Sequence, residues 1–540
     1  MIRRLVIINS VIFTILTAQL VVPGHYKLAV TSSPPDSTFL GLYSNVISDI
    51  RLQGDSTIWL GTGQGVSRLH VDSTQVYTYY TSSGLVNNTA TDLLPAGGTS
   101  ALAISGDKIA LAAAGKENDI SIGRGLALTD SSRSDWLYLD QPTDAEDDTL
   151  ETWFGTHSFL TLDVTVEEQN VTYDAHIAGD YLWIASWAGG IRRYNLSTGV
   201  WDRIPLPLDN QLQLLTCEDT LYTDGLMKNF KLNPRDPYSS GTKNPDPWAY
   251  GQHNHKGFAV LAYNDTVWVG TANGINRGIV DTTNDCIDWN HYFFPEHGLS
   301  GNWVVSLARQ DWNGKRIIWA VTMNVEGQEQ RGLSYTTDDG ETWHSTLHGE
   351  RAYNVSAFDS LVFAATDNGL WRSDDGINWA LYKPAKQFLP ASSGDYYLTD
   401  EITTNAVYSA FYDINGGSLW IGTGDGLART ENLNGLNWQI FRTEVAGEYV
   451  YPNPFYAGHD GTGSVRFHID VKKSFVITMD IFNFAMQQVF HQEFDRRDQD
   501  MGALNWNGTD NNGRMVANGT YFIRLEFDNA DHWFKLIVVK

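Results

Sequence analysis

Cysteine is nearly absent from this 540-residue chain, which has two, Cys217 and Cys286. Two thiols cannot complete a structural zinc site. In an oxidising compartment they would close a loop of about 70 residues, a constraint of about 4 kcal/mol. As separate buried thiols they would add packing alone, and the sequence leaves both arrangements open. Basic residues are also scarce, with 37 Lys and Arg against 63 Asp and Glu and a net charge of −26. A surface of that sign repels phosphate backbones, which excludes nucleic acid as an expected partner. The acidic residues are spread through loops rather than gathered in one tail, as on a solvated surface. Beyond the N-terminus there is no apolar run long enough to cross a bilayer and no sustained helical periodicity. There is no Ser-His-Asp elbow and no phosphate-cradling glycine loop, and no cofactor is expected.

Glycine, with 49 residues, and tryptophan, with 19, are plentiful instead. They recur together. Trp420-Ile421-Gly422-Thr423-Gly424-Asp425-Gly426-Leu427 is nearly repeated at Trp59–Val66 and Trp268–Ile275, with looser copies at Trp183 and Phe363. The pattern is a short buried strand, a turn that needs glycine, and a return strand. Seven units are marked by Trp59, Ile109, Trp183, Trp268, Trp319, Phe363 and Trp420. Their spacing runs from 44 residues (Trp319 to Phe363) to 85 (Trp183 to Trp268), so several loops are enlarged. A four-stranded sheet of this size cannot bury both faces alone, and radial packing would let each sheet cover the next. The expected fold is therefore all-β: a seven-bladed β-propeller over residues 23–445, with the anchor aromatics wedged between sheets. A β-solenoid or two stacked sandwiches are the alternatives. Asn45, Asn88, Asn170, Asn254, Asn302, Asn354 and Asn405 are read as the polar residues that open each innermost strand.

The text Gly-Leu-x-x-Asn followed by Leu-Trp-Ile-Gly-Thr-x-x-Gly-Leu resembles the propeller repeats of the two-component-regulator type. That resemblance covers roughly residues 44–443. Such repeats form the periplasmic sensors of hybrid histidine kinases and also occur in secreted proteins. No kinase or receiver text is found here, so a signalling role is not expected. Tyr335–Trp343 and Arg372–Trp379 resemble the Asp-box of sialidases, a rim turn in which Asp338, Asp339, Asp374 and Asp375 would be turn residues.

The two ends carry the destination. Arg3 and Arg4 precede an apolar run from Leu5 to Ala18, which reads as an export signal peptide over residues 1–22, with an uncleaved anchor as the alternative. No cysteine follows to take a lipid. Residues 446–540 read as a small immunoglobulin-like β-sandwich. Pro452, Asn453, Pro454, Trp506, Gly508, Asp510, Gly513, Gly519 and Tyr521 resemble both the immunoglobulin-like domain of flagellar hook-capping proteins and the C-terminal sorting domain of type IX secretion cargo. This resemblance implies delivery to the surface of a Gram-negative bacterium, with the secretion machinery as partner.

Candidate chemistry is thin. Asp49, Asp92 and Asp174 hold similar places in the innermost strands and are the candidate catalytic pair of a glycosidase. Arg51, Arg192, Arg193, Arg309 and Arg351 would be needed to converge in a sialidase-like site. His253 and His255 share a strand face but lack a third metal ligand, so no metal site is expected. Asn505, Asn507, Asp510 and Asn512 lack the spacing of a calcium loop. Two insertions, 141–158 and 206–257, carry the candidate binding residues Trp153, Trp248, Tyr250, His253 and His255. The expected function is a non-catalytic, cell-surface or secreted platform for an extracellular protein or glycan, without a membrane span after signal removal. The alternative is a polysaccharide-active hydrolase or lyase.

Overall fold

Each copy of the repeated text folds as the second of four antiparallel strands in a sheet, flanked by the first and third, and the first and fourth sheets gain a fifth strand, Thr89–Thr91 (parallel) and Gln213–Leu215. This computed structural model describes residues 41–540 except 74, 82–88, 92, 119, 133–134, 147–148, 236–250, 326, 385, 391–393, 403, 436–437, 444–447, 452, 458–463, 470, 472 and 499–503. The segment 1–22, Asp92, Trp248 and Tyr250 therefore lie outside the described residues. Seven such sheets follow in chain order. Their first strands are Ile47–Gln53, Gly98–Ser105, Thr172–Ala178, Gly257–Tyr263, Trp303–Trp312, Ala352–Phe358 and Val407–Asp413. The first strands lie side by side in that order, and the seventh also borders the first. The architecture is an almost wholly β, propeller-like repeat.

Trp59, Trp183, Trp268, Trp319, Phe363 and Trp420 are all buried, and each packs on the sheet that follows. Trp420 of the seventh sheet packs on Ile50, Ile58, Leu60 and Leu69 of the first. Burying an indole in this way stabilises by several kcal/mol, about 3–5 by the cost of truncation to alanine. The register corrects one anchor. Trp59 lies opposite Arg51, and the equivalent position of the second sheet, opposite Ala103, is Ala110 rather than Ile109. Backbone bonds also tie neighbours: Gly65 N–H donates to Gly97 O, Gly274 N–H to Asn302 O, and Gly426 N–H to Asn45 O. Gly274 has φ of +92°, and a Cβ there would sit 2.1 Å from Tyr292 O, so no other residue fits.

Five of the seven asparagines do precede first strands: Asn45, Asn170, Asn254, Asn302 and Asn405. Asn354 instead lies inside the sixth first strand. Asn88 lies outside the described residues, and the second first strand opens ten residues later, at Gly98.

The two insertions are not independent loops. Leu150–Phe154 and His157–Thr161 from the first join Tyr222–Thr223 and Leu226–Leu232 from the second in one accessory four-stranded sheet. The join is the parallel pairing of His157–Thr161 with Leu226–Leu232. Phe159, Met227, Phe230 and Leu232 share a core with Trp183 and Trp289 of the third and fourth sheets. Asp144 seals the contact, accepting from Arg192 at 3.0 Å and from Arg203 at 2.8 Å. Cys217 and Cys286 are joined as a disulfide beside the pairing of Gln213–Leu215 with Cys286–Tyr292.

Beyond residue 448 the strands form a three-stranded sheet and a five-stranded sheet. They share one core, drawn from Val450 to Val538, around Trp506, Ile523 and Leu536. Asp510 accepts from the backbone N–H of Asn512 and Arg514, both at 2.9 Å, so the Asn-rich stretch forms a turn there.

Candidate functional site

The seven first strands share a local defect. Each carries a β-bulge at the same place, between Ile47 and Asp49, Thr99 and Ala101, Thr172 and Asp174, Gly257 and Ala259, Val304 and Ser306, Ala352 and Asn354, and Val407 and Ser409. A bulge inserts one unpaired residue and re-aims its neighbours. The inserted residues Ser48, Ser100, Tyr173, Val305 and Tyr353 line a cavity of about 40 Å³ where the strands converge, together with Asp49, Arg51, Asp174, Ser306 and Asn354. That volume holds a few water molecules.

The structure thus brings Asp49 and Asp174 to one cavity, with Arg51 as their shared cation. Arg51 Nε donates to Asp49 Oδ2 at 3.0 Å. Its side chain is 44% exposed, so the cavity communicates with solvent. Asp174 is more enclosed. Burial pushes its carboxyl up to about 6 even though Arg51 and the Val260 N–H, which donates to Oδ2 at 2.9 Å, both favour the charged form. Next along the strand face, burial and then Arg51 bring His176 down to about 4, which keeps it neutral. Burial also pushes the Tyr353 phenol up to about 12. Ser306 Oγ donates to Asn354 Oδ1 at 2.7 Å. Ser100 Oγ is buried with no protein partner, as expected beside a site for ordered water. The second sheet has Ala101 in the register position of Asp49 and Asp174.

The other arginines do not converge. Arg192 and Arg193 are buried ion-pair partners of Asp144 and of Asp202 and Asp285. Arg309 pairs with Asp311 and lies over Tyr263, and Arg351 lies over Tyr353. They are engaged in ion pairs and ring contacts with their protein neighbours.

Among the binding candidates, Trp153 lies in the accessory-sheet strand Leu150–Phe154. His253, Asn254 and His255 form a 3-10 turn rather than a strand, capped by Asp209, which accepts from His253 N–H at 3.0 Å and Asn254 N–H at 2.7 Å. His255 is fully buried, accepts from Asn233 N–H at Nδ1 and meets Leu206 O through Nε2, so neither nitrogen is left for a ligand. Burial brings it down to about 4. Cys217, Asp281 and Cys286 cluster at metal-ligand distances, but the two sulfurs are bonded to each other and offer no thiolate. Asp338 and Asp375 of the Asp-box segments accept backbone N–H groups within their own turns.

The bulge residues were not recoverable from sequence, because a bulge breaks the strict alternation by which facing residues are read. The one available signal was the similar placing of Asp49 and Asp174 ahead of their anchor residues, ten before Trp59 and nine before Trp183.

No family model and no curated protein matches the chain's sequence. Among solved structures it is similar to PorZ of Porphyromonas gingivalis, an essential bacterial surface component of the type-IX secretion system. The identity is 14% and the TM-score 0.36, over 92% of this chain and 66% of that one, so the chain spans about two thirds of that structure. It is also similar to the computationally designed Ika8 protein, at 10% identity and a TM-score of 0.35, over 74% of this chain and 97% of that one. Among the described residues no helix is long and apolar enough to cross a membrane.

Proposed function

We propose that the chain is an exported, non-catalytic binding platform for an extracellular protein or glycan. Its seven sheets close as a seven-bladed propeller, and residues 446–540 form an immunoglobulin-like sorting or attachment module for a type IX secretion route. The contact of the seventh first strand with the first, and of Trp420 with the first sheet, supports closure. The single core drawn from Val450 to Val538 supports a separate sandwich. One observation carries the non-catalytic reading: the cavity at the convergence of the first strands is about 40 Å³, whereas pockets that enclose a ligand run to about 300–1,000 Å³. A cavity of that volume is too small to enclose a sugar ring. Binding is then left to the rims, where the accessory sheet enlarges one stretch of the molecule.

The hydrolase reading keeps one observation in its favour: two carboxylates share a cavity, and one of them is held near 6. A glycan array and a pull-down with the full chain, run beside a panel of polysaccharide substrates, separate the two. Retention of a glycan or protein without turnover is expected. Turnover that disappears in Asp49→Asn and Asp174→Asn would establish the enzyme instead. For the C-terminal module, deletion of residues 446–540 is expected to trap the protein in the periplasm, and unchanged surface delivery would refute the sorting role.

A further inference from the structure

The cavity at the convergence of the first strands collects side-chain oxygens from five of the seven sheets. Ser48 and Asp49 come from the first, Ser100 from the second, Asp174 from the third, Ser306 from the fifth and Asn354 from the sixth. Most of these oxygens have lone pairs to spare and no hydrogen left to give. Ser48 Oγ donates to Thr99 O at 3.0 Å, and Ser306 Oγ donates to Asn354 Oδ1 at 2.7 Å. Asp49 accepts from Ile50 N–H at Oδ1 and from Arg51 Nε at Oδ2. Asp174 accepts from Ala175 N–H at Oδ1 and from Val260 N–H at Oδ2. A carboxylate oxygen can take two such bonds, so each keeps a place for one more partner. Ser100 is the residue left over. It is 7% exposed, it lines the cavity, and its Oγ has no protein partner. Buried hydroxyls are rarely left in that state.

The charges in the lining do not balance either. Two carboxylates share one guanidinium, that of Arg51. Arg351 lies over the Tyr353 ring and is not part of the lining. One negative charge is therefore uncompensated at neutral pH, and an enclosed charge without a partner is costly. Burial holds the Asp174 carboxyl up at about 6 in spite of Arg51, as expected of a carboxylate short of positive charge.

We propose that this cavity is a binding site for a single calcium ion, held by the carboxylates of Asp49 and Asp174 and by the oxygens of Ser48, Ser100 and Asn354. Two carboxylates repel an anion, and an all-oxygen lining suits a hard cation. Calcium accepts an irregular set of oxygens, such as these from separate strands, whereas magnesium demands a near-ideal octahedron. A volume of about 40 Å³ admits one ion with a water or two to complete its shell. With only two charged ligands, the affinity is expected in the range of extracellular calcium modules, a Kd of about 0.1–1 mM. The ion bridges the first, second, third and sixth sheets where their first strands meet. This site is independent of binding at the rims.

The test adds calcium chloride to the full chain, freed of metal by chelator, at constant ionic strength. Calorimetric titration is expected to show one site per chain, and the urea midpoint is expected to rise with calcium and level off. Magnesium chloride at the same concentrations is expected to leave the midpoint unmoved. Ser100→Ala removes one oxygen from the lining and is expected to weaken calcium binding about threefold or more, and Asp174→Asn about tenfold or more. Should Asp174→Asn not fold, Asp49→Asn removes the other carboxylate and serves the same purpose. Asp72→Asn, at an acid whose side chain is 82% exposed, controls for binding to the acidic surface and is expected to change nothing. Absence of a saturable calcium response, an equal response to magnesium, or a response that survives both the Ser100 and the carboxylate variants would overturn the proposal.

Discussion

At the scale of residues, the recurring device is an aromatic ring faced by a guanidinium on the neighbouring strand. The Arg68, Arg193, Arg277 and Arg429 guanidinium carbons lie 5.8, 5.9, 5.8 and 5.1 Å from the ring centres of Trp59, Trp183, Trp268 and Trp420. Each such contact contributes about 0.5–1 kcal/mol, more where it is desolvated. These arginines therefore stabilise the sheets that carry the rings. Asp174, in the cavity, and His176, next to it on the same strand face, set up opposed titrations. The Asp174 carboxyl is raised, so its contribution to stability is full below about pH 4 and is lost as pH rises through about 6. The His176 ring is lowered, so its contribution is full above about pH 6.5 and is lost as pH falls through about 4. The two slopes oppose each other across the same window. His176→Gln is expected to make the urea midpoint fall more steeply than in the parent between pH 4.5 and 6.5. Asp174→Asn is expected to make it rise more steeply. Parallel profiles for all three proteins would mean that these groups are not held as described. The sequence placed Asp49 and Asp174 correctly in equivalent strands. Asp92 lies outside the described residues, and in the second sheet Ala101 holds the equivalent register position.

At the scale of elements, the anchor strands were legible and the accessory sheet was not. An anchor strand repeats its own text, so Trp59, Trp183, Trp268 and Trp420 identify one another. The accessory sheet depends on parallel pairing between segments more than sixty residues apart, which no local pattern encodes. Both insertions therefore read as loops, although Phe159 and Phe230 pack edge to face, 5.7 Å apart. The disulfide secures this region at the pairing of Gln213–Leu215 with Cys286–Tyr292. Replacing both cysteines by serine is expected to lower stability by about 4 kcal/mol on loop-entropy grounds. Calorimetry of the oxidised parent and the double variant measures this. A denaturation midpoint equal to that of the parent would show that the strand pairing alone holds the segment.

At the scale of the whole molecule, the proposed closure rests on one interface between the two ends of the repeat region. The seventh sheet, Val407–Phe441, and the first, with strands from Ile47–Gln53 to Thr89–Thr91, are each built from consecutive strands, and among the described residues no strand crosses from one to the other. They meet through Trp420 and its neighbours, the Gly426 N–H bond to Asn45 O, and the Thr443 N–H bond to Asn45 Oδ1 at 2.7 Å. Trp420→Ala is expected to cost about 3–5 kcal/mol. Its effect should reach the amides of the first sheet, although these are more than 300 residues away in sequence, with faster hydrogen exchange in Ile47–Gln53 and Thr57–Thr62 than in the fifth sheet. Equal acceleration in all seven sheets would count against a closing interface at this position.

If the sheets close as proposed, a circle fastened by such a clasp has a preferred place to part. Under tension along the chain, as when a polypeptide is drawn through a pore or pulled from an anchor, the clasp at Asn45 and Trp420 would yield first. The six remaining junctions would then come apart one after another, each starting from a newly bared edge.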